Sequence, residues 1–268
     1  MLAALLSALL LATPQATPVE RPVAIPASGG VTLAATLSVP AGPGPHPAAV
    51  LVGGFGPAAR DGSFGRRGGP YADLARRLTR EGVAVLRYDK RGLGDSGGPA
   101  LSWLDARPLQ RDAGAAVRLL AALPGIDPAR VALVGHSQGG DLALAAATGS
   151  PATRVVALSA PGRPLGLLPR VSGGARRLLD RLAGPGVAAA TLSADPRRAA
   201  AGARQPVLLV HGTRDGTVPV ADMATLAAAR RAAGLPVRTI RVRGANHFLQ
   251  VEGRVPAATV RQIAAFVS

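Results

Sequence analysis

The stretch Val131-Ala-Leu-Val-Gly-His-Ser-Gln-Gly-Gly140 constrains this chain more than any other. A continuous Val/Ala/Leu run suits a strand buried on both faces, as in a parallel sheet. An alanine-rich helix beginning near Asp141 follows it. Between them stands Gly135-His-Ser-Gln-Gly139, the Gly-x-Ser-x-Gly pattern of a sharp strand-to-helix turn that holds a serine exposed. An ordinary glycine turn is the plain alternative. The strand before and the helix after favour the elbow, and make Ser137 a candidate nucleophile.

The flanking segments keep one rhythm. Val23-Ala-Ile25 and Val31 to Val39 read as strands joined at Gly29-Gly30. The loop Gly42 to Pro47 takes His46 as a solvated residue. Strands follow at Ala48–Val52, Val83–Tyr88, Arg154–Leu158, Pro206–Val210 and Pro236–Val242. Helices are expected over Tyr71–Arg80, about Leu109–Leu123, Ala221–Ala233 and Ala257–Val267, from apolar residues three and four apart. Alternation of this kind predicts an α/β fold, a mostly parallel sheet with helices on both faces. From Gly162 to about Arg204 the rhythm breaks into Gly, Pro and Arg with one helix-like piece at Ala175–Leu182. That segment is too short to own a core, so it reads as a cap-like insertion in a single domain over residues 17–268. Its Leu165, Leu167, Leu168, Leu178 and Leu179 either line a pocket or pack the insertion onto the sheet.

Residues Leu2 to Leu11 form an apolar run broken only by Ser7 and followed by Ala12-Thr-Pro-Gln-Ala16. This is too short for a bilayer span and has the length of a secretory h-region, so residues 1–16 are expected to be a signal peptide and the protein secreted or periplasmic. Pro14 and the absence of basic residues depart from the usual signal pattern. The formal net charge is +16, almost all of it arginine in ones and twos, with Lys90 the only lysine. Scattered charge with no base-stacking aromatics is a solvated surface, and no nucleic-acid partner is expected. The chain has no cysteine, which excludes disulfides, thiolate metal sites and a cysteine nucleophile.

A serine hydroxyl needs a base to remove its proton. Of the four histidines, His46 sits among prolines, His136 adjoins the serine with its ring directed away, and His211 ends a strand and supports the turn after it. His247, in the loop after the last strand, is left as the base. Asp215, after the preceding strand, supplies the acid in the chain order Ser, Asp, His; Asp180, Asp195 and Asp222 have simpler explanations in capping and solvation. A developing oxyanion needs preorganised N–H donors, for which the amides of Gln138 and of Phe55 in Gly53-Gly-Phe-Gly56 are the candidates. A phosphate-cradling loop at Phe55 is disfavoured because no Gly-Lys-Ser/Thr follows. All four loops come after predicted strands, and in such sheets ligands bind outside the strands' carboxyl ends. Asp89, Arg91 and Asp95 are expected to form a structural ion-pair cluster beside them.

From Ala48 to Ser268 the sequence resembles the α/β-hydrolase superfamily. The resemblance is carried by Gly54-Phe-Gly-Pro57 with Arg60-Asp-Gly62, Leu86-Arg-Tyr-Asp-Lys-Arg-Gly-Leu-Gly-Asp-Ser96, Gly-His-Ser-Gln-Gly, His211-Gly-Thr-Arg-Asp-Gly-Thr-Val-Pro219 and Gly244-Ala-Asn-His-Phe248. It looks like a bacterial esterase branch near the serine-aminopeptidase-like and dienelactone-hydrolase-like enzymes. One departure is Val-Gly-Gly before Phe55, where many relatives carry His-Gly. The resemblance implies hydrolysis of small carboxylic esters through an acyl-enzyme, with no metal or organic cofactor. A serine at 137 argues against dehalogenases and epoxide hydrolases, which carry aspartate there. Aminopeptidase or thioesterase activity on the same residues, and an inactive binding protein that kept the fold, are the alternatives.

Overall fold

A computed structural model describes residues 18–63, 69–168, 177, 180–182 and 185–268. The expected signal segment 1–16 and half of the helix-like piece at Ala175–Leu182, Leu178 and Leu179 among it, lie outside these residues.

Eight strands form one sheet in the order β1-β2-β4-β3-β5-β6-β7-β8. They are β1 (Val19–Pro26), β2 (Thr32–Val39), β3 (His46–Val52), β4 (Ala84–Tyr88), β5 (Ile126–His136), β6 (Arg154–Leu158), β7 (Val207–Gly212) and β8 (Val237–Val242). The pairs β1–β2 and β2–β4 are antiparallel, and every pair from β4 through β8 is parallel. Beyond the Ala27 N–H to Val31 O bond (2.8 Å), Ser28, Gly29 and Gly30 turn β1 into β2, a three-residue hairpin loop with φ of 76° at Gly29 and 70° at Gly30, values that suit glycine.

The parallel strands are apolar on both sides because both sides are covered. Val50, Leu133, Val155 and Leu209 face helices α2 (Ala106–Ala121), α3 (Gln138–Ala147) and α6 (Ala221–Ala232) through Leu109, Val117, Leu142 and Leu226. Their neighbours Leu51, Val134, Val156 and Leu208 face α1 (Pro70–Arg80) and α7 (Ala257–Val267) through Leu74, Leu78, Val260 and Ile263. This is the α/β-hydrolase architecture, a mostly parallel sheet with helices on both faces. Between β6 and β7 come α4 (Pro185–Ser193) and α5 (Pro196–Gly202). Asp195 caps α5 by accepting from the Arg197 N–H, while Ala200 and Ala203 join the main core. The end of the expected insertion therefore belongs to the helix layer.

The structure corrects several local expectations. α3 begins at Gln138 instead of near Asp141: Gly139 and Gly140 are helical residues made small by close approach, not turn residues. A Cβ on Gly139 would lie 2.2 Å from the Val52 carbonyl oxygen. α2 begins at Ala106, capped by Asp105, because Pro108 falls in the first turn, where no intrahelical N–H is required. His46 opens β3, its N–H donating to Gly125 O at 2.8 Å. Among the described residues no helix is long and apolar enough to cross a membrane.

Candidate active site

Because β3 through β8 run parallel, the loops after β3, β5, β7 and β8 leave the sheet at one edge, and they carry Phe55, Ser137, Asp215 and His247. Ser137 sits at the turn between β5 and α3 with φ 54° and ψ −127°, a strained conformation for a residue with a side chain. Two contacts hold it there. Its N–H donates to Leu158 O at 2.8 Å, and the Gly140 N–H donates to its carbonyl at 2.9 Å. Gly54 lies against it; a Cβ there would come 3.0 Å from Ser137 Cβ.

His247 Nδ1–H donates to Asp215 Oδ2 at 2.8 Å. That bond commits Nδ1 as the donor and leaves Nε2 with its lone pair. Asp215 is further held by the N–H groups of Thr217 and Val218, at 2.8 and 2.9 Å, and by His211 at 3.2 Å. Burial alone favours its neutral acid. Hydrogen bonds from His211 and His247 and from the Val218 amide outweigh burial and hold the carboxyl well below the usual range. His211 Nε2 also donates to Val218 O at 3.0 Å, so it supports the turn, in agreement with the sequence reading.

The sequence reading placed His136 as a bystander with its ring directed away from the serine. The ring is 4 % exposed and links two loops. The Gly54 N–H donates to Tyr71 Oη (2.9 Å), Tyr71 O–H donates to His136 Nδ1 (2.9 Å), and His136 Nε2–H donates to the His247 carbonyl (2.9 Å). Phe248 stacks on the same ring, with centroids 4.8 Å apart. Burial, then the neighbouring His247, pushes the His136 pKa down to about 3, so it stays neutral. Burial raises Tyr71 to about 12, which keeps its proton in place. One relay of neutral groups thus ties the loop after β3 to the loop after β8.

Gln138 is the first residue of α3, so its N–H is one of the donors a helix start leaves without an internal partner. Among the described residues the Phe55 N–H donates no hydrogen bond either. The peptide before it is gripped from behind: Lys90 Nζ donates to Gly54 O and to Gly56 O, both at 2.6 Å. The Phe55 ring meets Trp103 edge-on, centroids 5.8 Å apart, and packs against Leu165, Leu168, Leu192 and Val218. Of the leucines expected in the insertion, Leu165 and Leu168 thus pack beside Phe55, while Leu167 is 68 % exposed. Tyr71 and Lys90 were not singled out from sequence. Tyr71 reads as one more apolar helix position, and Lys90 as the sole lysine, inside the Leu86–Ser96 motif.

The expected Asp89, Arg91 and Asp95 cluster divides into two. Asp89 and Asp95 both pair with Arg60, whereas Arg91 pairs with Asp112 on α2 at 2.5 and 2.7 Å. Asp222 is not a solvated cap either. It is fully buried, accepting from the Gly162 N–H and pairing with Arg163.

Residues 64–189 match the family described as serine aminopeptidase, a segment that contains Ser137 but neither Asp215 nor His247. Over 133 residues, half of the chain, the sequence is 36 % identical to Esterase EstD of Thermotoga maritima. The chain spans only 31 % of that relative's length. Among solved structures, DcsB in complex with its substrate analogue superimposes with a TM-score of 0.72 at 18 % identity, covering 93 % of this chain and 99 % of that one. An esterase of Pyrococcus furiosus gives 0.69 at 18 % identity, covering 93 % and 91 %. At such identities the two structures speak for the fold.

Proposed function

We propose that this chain, which has the α/β-hydrolase fold, is a serine hydrolase of the esterase branch that cleaves small carboxylic esters through an acyl-enzyme. Ser137 Oγ attacks the ester carbonyl while His247 Nε2 takes its proton. The amides of Phe55 and Gln138 hold the oxyanion, and the protonated imidazole then returns its proton to the leaving alcohol. Water repeats the sequence on the acyl-enzyme. Asp215 orients the imidazole and stabilises its charged form without taking the proton itself. The segment after β6 acts as a cap whose Leu165 and Leu168 sit beside Phe55, where an acyl chain would lie.

The observation that carries this reading is the 2.8 Å contact of His247 Nδ1 with an ionised, buried Asp215, on the sheet edge where Ser137 is held at positive φ. Similarity to Esterase EstD supports the ester as substrate. The description of the matching family favours a second reading, aminopeptidase activity at the same serine. One panel separates the two: p-nitrophenyl esters, thioesters and aminoacyl p-nitroanilides, with wild type and Ser137→Ala. Ester turnover and fluorophosphonate labelling, both abolished in S137A, are the expected results. Unchanged ester hydrolysis in S137A refutes the proposal, and preference for the anilides selects the aminopeptidase.

A further inference from the structure

Lys90 is 3 % exposed and, among the described residues, forms no ion pair. Its neighbours Asp89 and Arg91 are turned to Arg60 and Asp112. Its ammonium instead meets the carbonyls of Gly54 and Gly56, with the Trp103 ring centroid 5.6 Å away. Burying an ammonium without a carboxylate costs several kcal/mol. Packing alone would be served better by an apolar side chain of the same length. This is the one lysine in a chain otherwise supplied with arginine.

The position of the two acceptors gives the charge a use. The Gly54 carbonyl and the Phe55 N–H belong to a single peptide unit. A cation on the oxygen draws electrons across the conjugated amide and makes its N–H a stronger donor. The bond to Gly56 O fixes the far side of Phe55, and the bond from the Gly54 N–H to Tyr71 fixes the near side. We propose that Lys90 is a positioning residue for ester hydrolysis, which orients and polarises the Gly54–Phe55 peptide so that the Phe55 amide stabilises the oxyanion. Lys90 touches no substrate and acts through that peptide. The inference rests on the serine-hydrolase reading above. Burial lowers its pKa to about 8, so the charge is present at neutral pH.

The test takes the full chain with Lys90→Met and Lys90→Gln, all rates expressed per site titrated by a fluorophosphonate, so that a variant folding only in part is still read. For p-nitrophenyl acetate, K90M is expected to lose about 10- to 100-fold in kcat with KM within about threefold, and K90Q less. A trifluoromethyl ketone, bound as its oxyanionic hemiketal, should lose affinity by the same factor. Because the chain has no cysteine of its own, Lys90→Cys alkylated with 2-bromoethylamine in denaturant and refolded restores an ammonium at this one place. It should recover most of the rate. Unchanged kcat and ketone affinity per titrated site in either variant overturns the inference, as does a loss in KM alone. A wild-type protein that takes up no fluorophosphonate overturns the serine-hydrolase reading and this one together.

Discussion

Two loops leave the same edge of the sheet beside buried aspartates, and they differ in what faces the carboxylate. After β7, Asp215 faces two imidazoles, of His247 and His211. After β4, Asp89 faces the guanidinium of Arg60, and Arg91 faces the fully buried Asp112. A guanidinium keeps its proton at any working pH, so these pairs are fixed charge that binds a loop to a helix. An imidazole gains and loses a proton near neutrality, so the Asp215 pair can follow a reaction. The carboxylates are alike in kind and burial. Their partners divide chemistry from scaffolding.

The largest effect expected from breaking this contrast is in activity. Asp215→Asn keeps the volume but presents the wrong hydrogen-bonding group to His247 Nδ1, and should lower kcat by about 10⁴-fold, or roughly 5.5 kcal/mol in the barrier. Steady-state rates with p-nitrophenyl acetate measure it; a loss below tenfold would show that Asp215 does not orient the imidazole. Next comes stability. Asp112→Ala leaves the buried Arg91 guanidinium without its carboxylate and should cost about 3–5 kcal/mol in urea unfolding, with kcat per titrated site within about threefold. A large kcat loss in that variant erases the proposed division between the two loops.

A smaller effect separates the groups by pH. His136 is neutral in the folded protein down to about pH 3, whereas in the unfolded chain it takes a proton below its ordinary 6.5. The unfolded state then binds more protons, so stability falls as pH drops below 6.5, by at most about 1.4 kcal/mol per unit. Asp215, whose folded carboxyl lies below its ordinary 3.8, gives stability that is lost only as pH falls through that value and beyond. Between pH 6.5 and 5 this loss runs against a gain from Asp141, whose buried carboxyl is pushed up to about 7, so the His136 contribution, about 1.6 kcal/mol, is read as the difference between wild type and His136→Gln in urea titrations. His136→Gln should leave the Asp141 gain alone, so that stability rises on acidification in the variant, and curves of equal slope in the two proteins would refute the neutral relay.

Sequence carried the frame of this picture and missed its fastenings. Strands such as Val131–Val134 are legible because burial on both faces leaves only apolar residues, and strand rhythm put Ser137, Asp215 and His247 on one edge. Three other features depend on pairing across long separations, which no local pattern records. Tyr71 and His136 are 65 residues apart in sequence, and Lys90 is 36 from Gly54. The division of Asp89 and Arg91 between Arg60 and Asp112 likewise needed the fold, since their partners lie 29 and 21 residues away in sequence. The helix start was misplaced by the glycines: Gly139 and Gly140 are the second and third residues of α3, small because β3 and Ala160 press against them.

The smallest expected effect supplies the control for the comparison. Arg197 also pairs with an aspartate, Asp195, at 2.7 Å, through a two-pronged contact like that of Arg91 with Asp112, but between residues two apart in sequence and at the surface, with the Arg197 side chain 56 % exposed. In water the attraction is screened, and holding a long side chain costs entropy, so such pairs contribute about 0–1 kcal/mol. The Asp195 carboxylate also keeps its own work after Arg197 is cut back, because the capping bond comes from the backbone N–H of residue 197 and survives in Arg197→Ala. Urea midpoints for R197A should therefore coincide with wild type, against a clear fall for D112A. If the two variants cost the same, depth is not what gives the Arg91–Asp112 pair its hold on the loop after β4, and the scaffolding half of the contrast would need another cause.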